Sequence, residues 1–336
     1  MVRVGVVIPT YRRPVQLVTS VKAVLGQTDA EVEVVVVDDA GHDHATDLVL
    51  DELAGDGVRT VVRSTSGGPA MARNTGAATL DTEYVAFCDD DDVWAPVKVA
   101  RQVAALSAHP EAGWAYGGAL HFEVGRGPRY AAVPPALGVH DPTRALLDFD
   151  VVPGGGSGVV VRRGLFEELG GFDVEFHGTE DWDLYLRLAS AAPAVALNEP
   201  LVAYRVEPCS QVSGEPNRMA AQCELFLAKH ADRRAEAGCA AWPDRVEGYI
   251  AGIDLLAGRH RQSARRQLRR FGQTRSPRAL LSAALAAGAP ILARRVSAAI
   301  SRRSIPAGWA RDTMAWLTPM LEAEQARAAS VSRRNP

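Results

Sequence analysis

Four consecutive aspartates, Asp89 to Asp92, directly follow an apolar segment at residues 84–88. The tyrosine, valine and phenylalanine of that segment are typical of a covered β-strand, so the carboxylates come where the strand leaves the core. Like charges this close cannot all stay ionised without a counter-charge. A divalent cation would supply it, and carboxylate oxygens are hard ligands that suit Mg2+ or Mn2+. The alternative interpretation is a solvated acidic loop, and the neighbouring segments favour the cation site.

The first half of the chain alternates between strand-like and helix-like patterns. We expect four strands over residues 4–8, 32–37, 58–62 and 84–88. The intervening helices are expected over residues 14–25, 46–53, 68–80 and 97–106. Strands that alternate with helices predict an α/β fold with a mostly parallel sheet covered on both faces. Ligands of such sheets bind at the carboxyl ends of the strands, where Asp38, Asp39 and the aspartate run lie.

The net charge of −3 conceals two halves of opposite charge. Residues 1–214 hold 16 Lys and Arg against 30 Asp and Glu, whereas residues 215–336 hold 21 against 10. No acidic residue falls between Asp254 and Asp312, and 12 arginines fall within residues 259–303. Such a change marks a domain boundary and suggests different partners for the two halves. We predict an α/β domain over residues 1–214 and a basic, helical C-terminal region over residues 215–336.

Cysteine usage and hydropathy bear on the location of the protein. No stretch reaches 18 uninterrupted apolar residues, so the sequence predicts no transmembrane helix. Residues 1–9 are too short for a signal peptide and look like a first strand. The four cysteines are widely spaced without a CxxC pair, which indicates reduced thiols and argues against structural zinc. These features predict a cytoplasmic protein.

Five segments of the first half match the motifs of one enzyme family in order and spacing. They are VIPTYRR at residues 7–13, VVVDD at 35–39, GGPAMARN at 67–74, FCDDDDVW at 87–94, and GGFD with TEDWDL within 170–184. Together they resemble the family 2 glycosyltransferases, which have the GT-A nucleotide-sugar-binding fold. The resemblance covers roughly residues 3–214 and implies that this part is the catalytic domain.

The resemblance implies a metal-dependent, inverting enzyme of the hexosyltransferase class. Such an enzyme moves a sugar from a UDP- or dTDP-linked donor to a hydroxyl acceptor in cell-surface glycan or natural-product biosynthesis. The implied donor-binding residues are Thr10, Tyr11, Arg13, Asp39, Gly68, Arg73, Asp89 and Asp90. By the same resemblance, Asp91 holds Mg2+ or Mn2+ and Asp181 is the base that deprotonates the acceptor. Glu180 and Trp182 are expected on the acceptor side.

Elementary chemistry supports several donor-site roles. The Asp39 carboxylate suits a base N–H or a ribose hydroxyl, and the Tyr11 ring can stack on a base. Free N–H groups at the helix start after Gly68 attract a diphosphate. Asp89 and Asp91 alternate along an extended segment, so their side chains can point to the same side.

Each role has a structural alternative. Asp39 could cap the next helix, the glycine pair could make a tight turn, and Arg73 could form a structural ion pair. Asp181 could be a carboxylate that stabilises a helix N-terminus. We expect Asp92 to cap the helix after residues 94–96.

The sequence departs from the family pattern at a few positions. Arg12 stands where the family commonly has Asn, and Ala40 and Gly41 stand where it has Gly and Ser. Many members have a metal-binding His where this chain has Glu207. Glu207 is expected either to act as an oxygen ligand in its place or to have no role.

Two other classes of function compete with glycosyl transfer. Sugar-1-phosphate nucleotidyltransferases share a related fold, but residues 9–11 do not match their Gly-rich signature. A degenerate, nucleotide-sugar-binding scaffold is the non-enzymatic alternative, and the intact Asp91 and Asp181 argue against it.

The basic C-terminal region leaves its partner open. Four arginines recur at helical spacing beside apolar residues: Arg265, Arg266, Arg269 and Arg270. Such a helix can lie on the anionic inner face of the membrane as a peripheral contact. Alternatively, the region docks on the acidic first half and completes the acceptor site or a homodimer interface. No motif supports nucleic-acid binding, and the tail after Glu324 is expected to be frayed.

Overall fold

A ten-stranded mixed sheet forms the centre of the protein. The structure is a computed structural model that describes residues 2–41, 43–206, 216–240, 242–303 and 305–334. The strands are Arg3–Thr10 (β1), Glu31–Asp38 (β2), Arg59–Val62 (β3), Tyr84–Phe87 (β4), Val93–Trp94 (β5), Trp114–Glu123 (β6), Gly127–Ala132 (β7), Gly138–His140 (β8), Val159–Arg162 (β9) and Ala194–Arg205 (β10).

Helices cover the sheet and make up the C-terminal region. Seven precede residue 206: Pro14–Leu25 (α1), His44–Gly55 (α2), Gly68–Ala77 (α3), Lys98–Ala108 (α4), Thr143–Leu146 (α5), Arg163–Glu168 (α6) and Glu180–Ala191 (α7). Seven follow: Pro216–Lys229 (α8), Ala231–Glu236 (α9), Asp244–Leu256 (α10), His260–Thr274 (α11), Pro277–Gly288 (α12), Pro290–Arg303 (α13) and Trp309–Arg334 (α14). Within the described ranges, no helix is both long and apolar enough to cross a bilayer.

The predicted α/β class is confirmed, but the sheet is mixed rather than mostly parallel. Its strand order is β3-β2-β1-β4-β9-β6-β10-β5, with β7 and β8 pairing at the side. The first four strands are parallel to one another, as expected from their helical connections. Strand β9 runs antiparallel to both β4 and β6. The antiparallel strands come largely from the Gly- and Pro-rich middle of the chain, where strand periodicity is weak.

The sheet is buried on both faces. Val34 and Val36 of β2 pack into one apolar cluster, whereas Val35 and Val37 pack into the other. Alternate residues of a strand point to opposite faces, and both faces here are covered by helices. This explains why β2 is an almost uninterrupted β-branched run. Since β1, β2 and β4 are parallel, their carboxyl ends meet at one edge of the sheet, which places Asp39 and the aspartate run there.

Arg266 and Arg270 of α11 pair inside the C-terminal region. Arg266 donates to Asp254 (2.9 Å) and Glu247 (3.2 Å), and Arg270 donates to both oxygens of Asp244 at 2.8 Å. All three carboxylates belong to α10. Arg266 and Arg270 therefore do not pair with the acidic first half, because carboxylates of α10 are their partners.

Helix α14 docks on the α/β domain and does not fray after Glu324. Its Leu317 packs with Ala23 and Phe122, and Arg327 pairs with Glu52 of α2. Helical structure continues to Arg334. The frayed tail was the wrong expectation, because composition alone does not show which apolar face of a helix finds a partner. The proposed domain boundary at residue 214 lies outside the described residues.

Docking of α14 generates a stability prediction at Gly118. A methyl group on Gly118 of β6 would lie 2.0 Å from Cη2 of the buried Trp309. We expect Gly118→Ala to lower the free energy of unfolding by about 1–3 kcal/mol and to expose α14 to protease, because the indole cannot stay in place. Gly164→Ala is the matched control, since no described atom would lie within 4 Å of its methyl group. Equal protease resistance in the two variants would contradict this docking.

Candidate active site

The aspartate run is fixed by hydrogen bonds from a distant loop and strand. The Asp89 N–H donates to Ser157 Oγ (2.9 Å), and Ser157 Oγ donates to Asp92 Oδ2 (2.6 Å). The Arg205 N–H of β10 donates to Asp92 Oδ1 (3.1 Å). Burial and the charges of Asp91 and Asp89 raise the pKa of Asp92 well above its ordinary range. Asp92 thus joins three segments inside the fold.

The expected capping role of Asp92 is wrong. Helix α4 begins only at Lys98, and Val97 precedes it without a side-chain cap. The short strand β5 separates the aspartate run from the helix, and this two-residue strand is too short to predict from periodicity.

Thr10 and Arg13 contact the middle of the run. Thr10 Oγ1 donates to Asp90 Oδ2 at 2.8 Å, and Arg13 Nη1 donates to Asp90 Oδ1 at 3.2 Å and to Asp91. Burial and the charge of Asp91 raise the pKa of Asp90 to about 7, although Arg13 acts in the opposite direction. Asp90 is only 6% exposed. It is therefore a buried partner of Thr10 and Arg13, whereas Asp91 is partly accessible.

A buried guanidinium connects the aspartate run to α7. Arg73 of α3 is 3% exposed and donates to Asp89 Oδ1 (2.5 Å) and Glu180 Oε1 (3.0 Å). Burial alone would lower the pKa of Arg73, but Asp89, Glu180 and Asp181 outweigh it and raise that pKa. The arginine therefore stays charged between carboxylates contributed by two separate elements.

Asp181 lies in the first turn of α7, beside Arg73 and Glu180. Its Oδ1 accepts from the Trp182 N–H at 2.8 Å, and the helix begins after Thr179 without a side-chain cap. Burial and the charges of Asp150 and Glu180 raise the pKa of Asp181 well above its ordinary range, and Arg73 opposes them. A half-buried carboxylate of raised pKa has a higher proton affinity, which is the property required of a general base.

Asp39 and Gly68 contact one another in this structure. Asp39 accepts from Ser66 Oγ (2.7 Å) and from the backbone N–H groups of Gly67 (3.1 Å) and Gly68 (2.8 Å), and it pairs with Arg63. The carboxylate thus occupies the N-terminus of α3. A diphosphate could use the Gly68 N–H only by displacing this carboxylate. The alternative in which Asp39 caps α2 does not hold, because Asp43 caps that helix.

A cavity of about 400 Å3 opens beside Asp39 and the start of α3. This volume lies within the range of small-molecule sites. Tyr11 remains 36% exposed, with the Arg12 guanidinium carbon 5.1 Å from its ring centroid. The cavity is lined by Ser66, Gly67, Gly68, Met71, Val174, His177 and Arg218.

Glu180 and Trp182 are buried in the first turn of α7. Glu180 is 5% exposed and holds Arg73, while the Trp182 indole donates to Leu146 O (2.7 Å) and stacks on Phe226 at 3.7 Å. Their burial disfavours direct contact with an acceptor. Both side chains pack the first turn of α7 against the rest of the fold in this structure.

The donor set around Asp91 fits a hard divalent cation in part. Asp89 and Asp91 are partly exposed carboxylates in a buried acidic run that raises the pKa of Asp90 and Asp92. Across the described parts of the chain, no three His, Cys, Asp or Glu side chains converge as a metal cage. Mg2+ commonly uses one or two carboxylates together with substrate phosphates, so such a cage is not required. Glu207 lies outside the described residues.

Three residues that the sequence did not single out complete the site. Ser157 and Arg205 hold the aspartate run, and Asp150 lies close enough to Asp181 to raise its pKa. Burial raises the pKa of Asp150 itself to about 7. Ser157 lies in the Gly-rich segment at 154–158. The glycines of this segment indicate a turn or loop, but nothing in the sequence indicates that Ser157 contacts the aspartate run.

Solved structures share this architecture. A mannosyltransferase from Pyrobaculum calidifontis, PcManGT in complex with GDP-Man and Mn2+, matches with a TM-score of 0.55 and 20% identity over 97% of this chain and 86% of its own. The TarS 1–349 fragment of S. aureus in complex with UDP matches with a TM-score of 0.51 and 20% identity over 82% of this chain and 73% of its own. At this identity the likeness shows the fold alone, which is the GT-A class.

Sequence comparisons identify the family. Residues 5–170 match the family model described as glycosyl transferase family 2, and residues 138–214 match that of glycosyltransferase like family 2. The chain belongs to glycosyltransferase family 2.

Two curated relatives illustrate the match. An uncharacterized glycosyltransferase of Haemophilus influenzae is 26% identical over 59% of this chain and 66% of its own length. The succinoglycan biosynthesis protein ExoW of Rhizobium meliloti is 39% identical over 29% of this chain and 31% of its own. The chain thus spans between about a third and two thirds of the length of these relatives.

Proposed function

We propose that this chain is an inverting glycosyltransferase that moves a sugar from a nucleotide-diphosphate donor to a hydroxyl acceptor. The observation that carries the proposal is the connection through Arg73. It joins Asp89, at the carboxyl edge of the sheet, to Glu180, whose neighbour Asp181 has a raised pKa. Residues 107 positions apart thereby form a single site with a donor side and a base side.

Inversion follows from a single displacement at the anomeric carbon. As the acceptor oxygen forms its bond to this carbon, its proton passes to Asp181 and the nucleoside diphosphate leaves with the electron pair of the broken bond. Asp150 and Glu180 favour this transfer because their charges raise the proton affinity of Asp181. The Trp182 backbone N–H holds the Asp181 carboxylate, and the Trp182 ring is itself fixed by stacking on Phe226.

On the donor side, we assign the cation to Asp91 with help from Asp89. Bound there, Mg2+ or Mn2+ would stabilise the negative charge that develops on the leaving diphosphate. Arg13, which contacts Asp91, contributes further positive charge. Thr10 and Asp90 orient this arginine. We assign the base of the donor to Tyr11 and Asp39, which follow the neighbouring parallel strands β1 and β2.

The names of relatives support a UDP-linked donor and a glycan acceptor. TarS structures are described in complex with UDP and with UDP-GlcNAc. WfgD of Escherichia coli, 30% identical over 31% of this chain and 40% of its own length, is named a UDP-Glc:alpha-D-GlcNAc-diphosphoundecaprenol beta-1,3-glucosyltransferase. ExoW is named for succinoglycan biosynthesis. A UDP-linked sugar is therefore our first choice over a dTDP-linked one, and a cell-surface glycan is preferred over a natural product.

The cytoplasm is the proposed location of the reaction. Cys88, Cys223 and Cys239 are free thiols, which suits a reducing compartment. A homodimer stays a prediction.

Replacement of Asp181 tests the base. We expect Asp181→Asn to leave UDP affinity near that of wild type and to lower turnover by a factor of about 100 to 10,000, the usual contribution of a positioned base. The melting temperature should stay equal or rise, because the amide removes repulsion from Asp150 and Glu180. Transfer at the wild-type rate would show that another carboxylate acts as the base.

The raised pKa of Asp181 also sets the direction of the pH profile. The ionised form is the base, and a raised pKa keeps Asp181 protonated to a higher pH than an ordinary aspartate. The ordinary pKa of an aspartate is about 4, and turnover of the wild type should begin to fall at a pH above this value when the solution is acidified. A profile that stays flat down to that pH would contradict this assignment.

Removal of the Asp91 charge tests the metal. We expect Asp91→Asn to keep the fold but to lose the increase in UDP affinity that Mn2+ gives to the wild type, because the cation loses its main ligand. Calorimetric titration of UDP with Mn2+ and with EDTA measures this without turnover. Asp51→Asn, an exposed aspartate of α2, is the control and should behave as wild type. Equal UDP affinity of the wild type with Mn2+ and with EDTA would rule out this metal site.

A further inference from the structure

Helix α12 turns apolar side chains toward solvent. Its buried side consists of Ala279, Ala283 and Ala286, all at most 3% exposed. On the opposite side Leu280 and Leu281 are 44% and 60% exposed. A surface helix ordinarily directs polar residues outward, whereas α12 directs its largest apolar side chains outward and buries only alanines. The outward side also includes Ala284, Ala287 and Gly288, and the helix has a single charged residue, Arg278.

The apolar surface continues onto neighbouring elements. Ile291 and Leu292, in the first turn of α13, are 71% and 50% exposed and follow α12 within about 10 Å of chain. Arg294 of α13 donates to Leu256 O at 3.2 Å, which brings the end of α10 alongside; Leu256 is 70% exposed. We name the α12–α13 face by its five large apolar side chains: Leu256, Leu280, Leu281, Ile291 and Leu292.

This concentration is unusual within the described residues. Six of their nine exposed leucines and isoleucines fall between residues 256 and 292: the five of the α12–α13 face and Leu268 of α11. Scattered exposed apolar residues need no explanation, but a contiguous patch on a surface marks a contact with a partner or a membrane.

The charge around the face selects the partner. The same region exposes arginines on three helices: Arg261 and Arg265 on α11, Arg278 on α12 and Arg295 on α13. No acidic residue occurs between Asp254 and Asp312 to offset them. Helices that expose both large apolar side chains and arginines complement the acyl chains and head groups of an anionic bilayer. We infer that the α12–α13 face docks on an anionic phospholipid membrane as a peripheral contact.

A second copy of the chain fits this surface less well. A two-fold dimer would place the α12–α13 face against itself and bring arginines of α12 and α13 near one another, while neither helix has a carboxylate to pair with them. Contact of this face with the acidic first half of another copy would be a head-to-tail contact. Such contacts give a closed ring only for particular rotations between copies, and otherwise give an open filament. An anionic bilayer meets both the apolar and the charged requirement.

The arginines divide into those that hold the fold and those that are available. Arg266 and Arg270 bind carboxylates of α10, so reversing their charge would unfold the helical pair. Arg265 and Arg278 are exposed and have no ion-pair partner among the described residues. A test of membrane contact therefore changes Arg265 and Arg278 and leaves Arg266 and Arg270 unchanged.

The test is sedimentation of the full chain with vesicles. We expect binding to vesicles of phosphatidylglycerol and phosphatidylcholine in equal parts, and little binding to pure phosphatidylcholine. Binding should weaken as salt rises, because charges are screened over about 10 Å at ~0.1 M. The double variant Arg265→Ser, Arg278→Ser should bind at least about tenfold more weakly, since one arginine near an anionic surface contributes roughly fivefold.

Leucine variants test the apolar part with a matched control. Leu281→Glu should lower vesicle binding about tenfold or more, whereas Leu48→Glu, at an equally helical leucine of α2 that is 56% exposed, should not. Donor hydrolysis in vesicle-free solution should be unchanged in every variant. The two assays are therefore independent: absence of glycosyl transfer would not contradict vesicle binding, and absence of vesicle binding would not contradict glycosyl transfer.

Three outcomes would overturn the inference. One is wild-type protein that does not sediment with anionic vesicles at low salt. Another is binding that Leu281→Glu and Leu48→Glu lower equally. The third is a dimer of the wild type, seen by analytical ultracentrifugation without vesicles, that Leu281→Glu dissociates; the face would then join two copies of this chain.

Discussion

The guanidinium of Arg73 is the interaction on which the rest of the site depends. It is 3% exposed and joins Asp89 to Glu180, so the aspartate run and the start of α7 are held together before any ligand binds. Loss of one member of a buried ion pair leaves an uncompensated charge and costs about 3–5 kcal/mol. The same charge opposes the rise in the pKa of Asp181 that burial, Asp150 and Glu180 cause. One side chain thus fixes the geometry of the site and limits the rise in the pKa of Asp181.

A second buried arginine connects the C-terminal region to the same loop. Arg205 donates through Nε to Asp91 O (3.0 Å) and through Nη2 to Glu324 Oε2 (2.8 Å). Glu324 lies on α14, so this helix supports the backbone of the proposed metal ligand. The C-terminal region therefore has two distinct parts. Helix α14 packs on the α/β domain, whereas α12 and α13 present the surface that we assign to a membrane.

Local patterns in the sequence predicted the parts of the structure that depend on local forces. The strands β1 and β2 follow from β-branched runs and β4 from a short apolar run, and their parallel order places Asp39 and Asp91 at one edge. Contacts between distant residues could not be predicted, because nothing local marks them: Arg205 and Glu324 are 119 positions apart. The capping role expected of Asp92 was wrong for the same reason, since its partners Ser157 and Arg205 come from distant segments.

A double-mutant cycle between Arg73 and Glu180 measures the central interaction directly. Urea unfolding of wild type, Arg73→Met, Glu180→Gln and the double variant gives the coupling free energy without any substrate. A buried pair that holds the site together should be coupled by about 1–3 kcal/mol, so that the double variant is much less destabilised than the sum of the single variants. Additive effects, within about 0.5 kcal/mol, would contradict the account, because α7 and the aspartate run would then be held in place by other contacts.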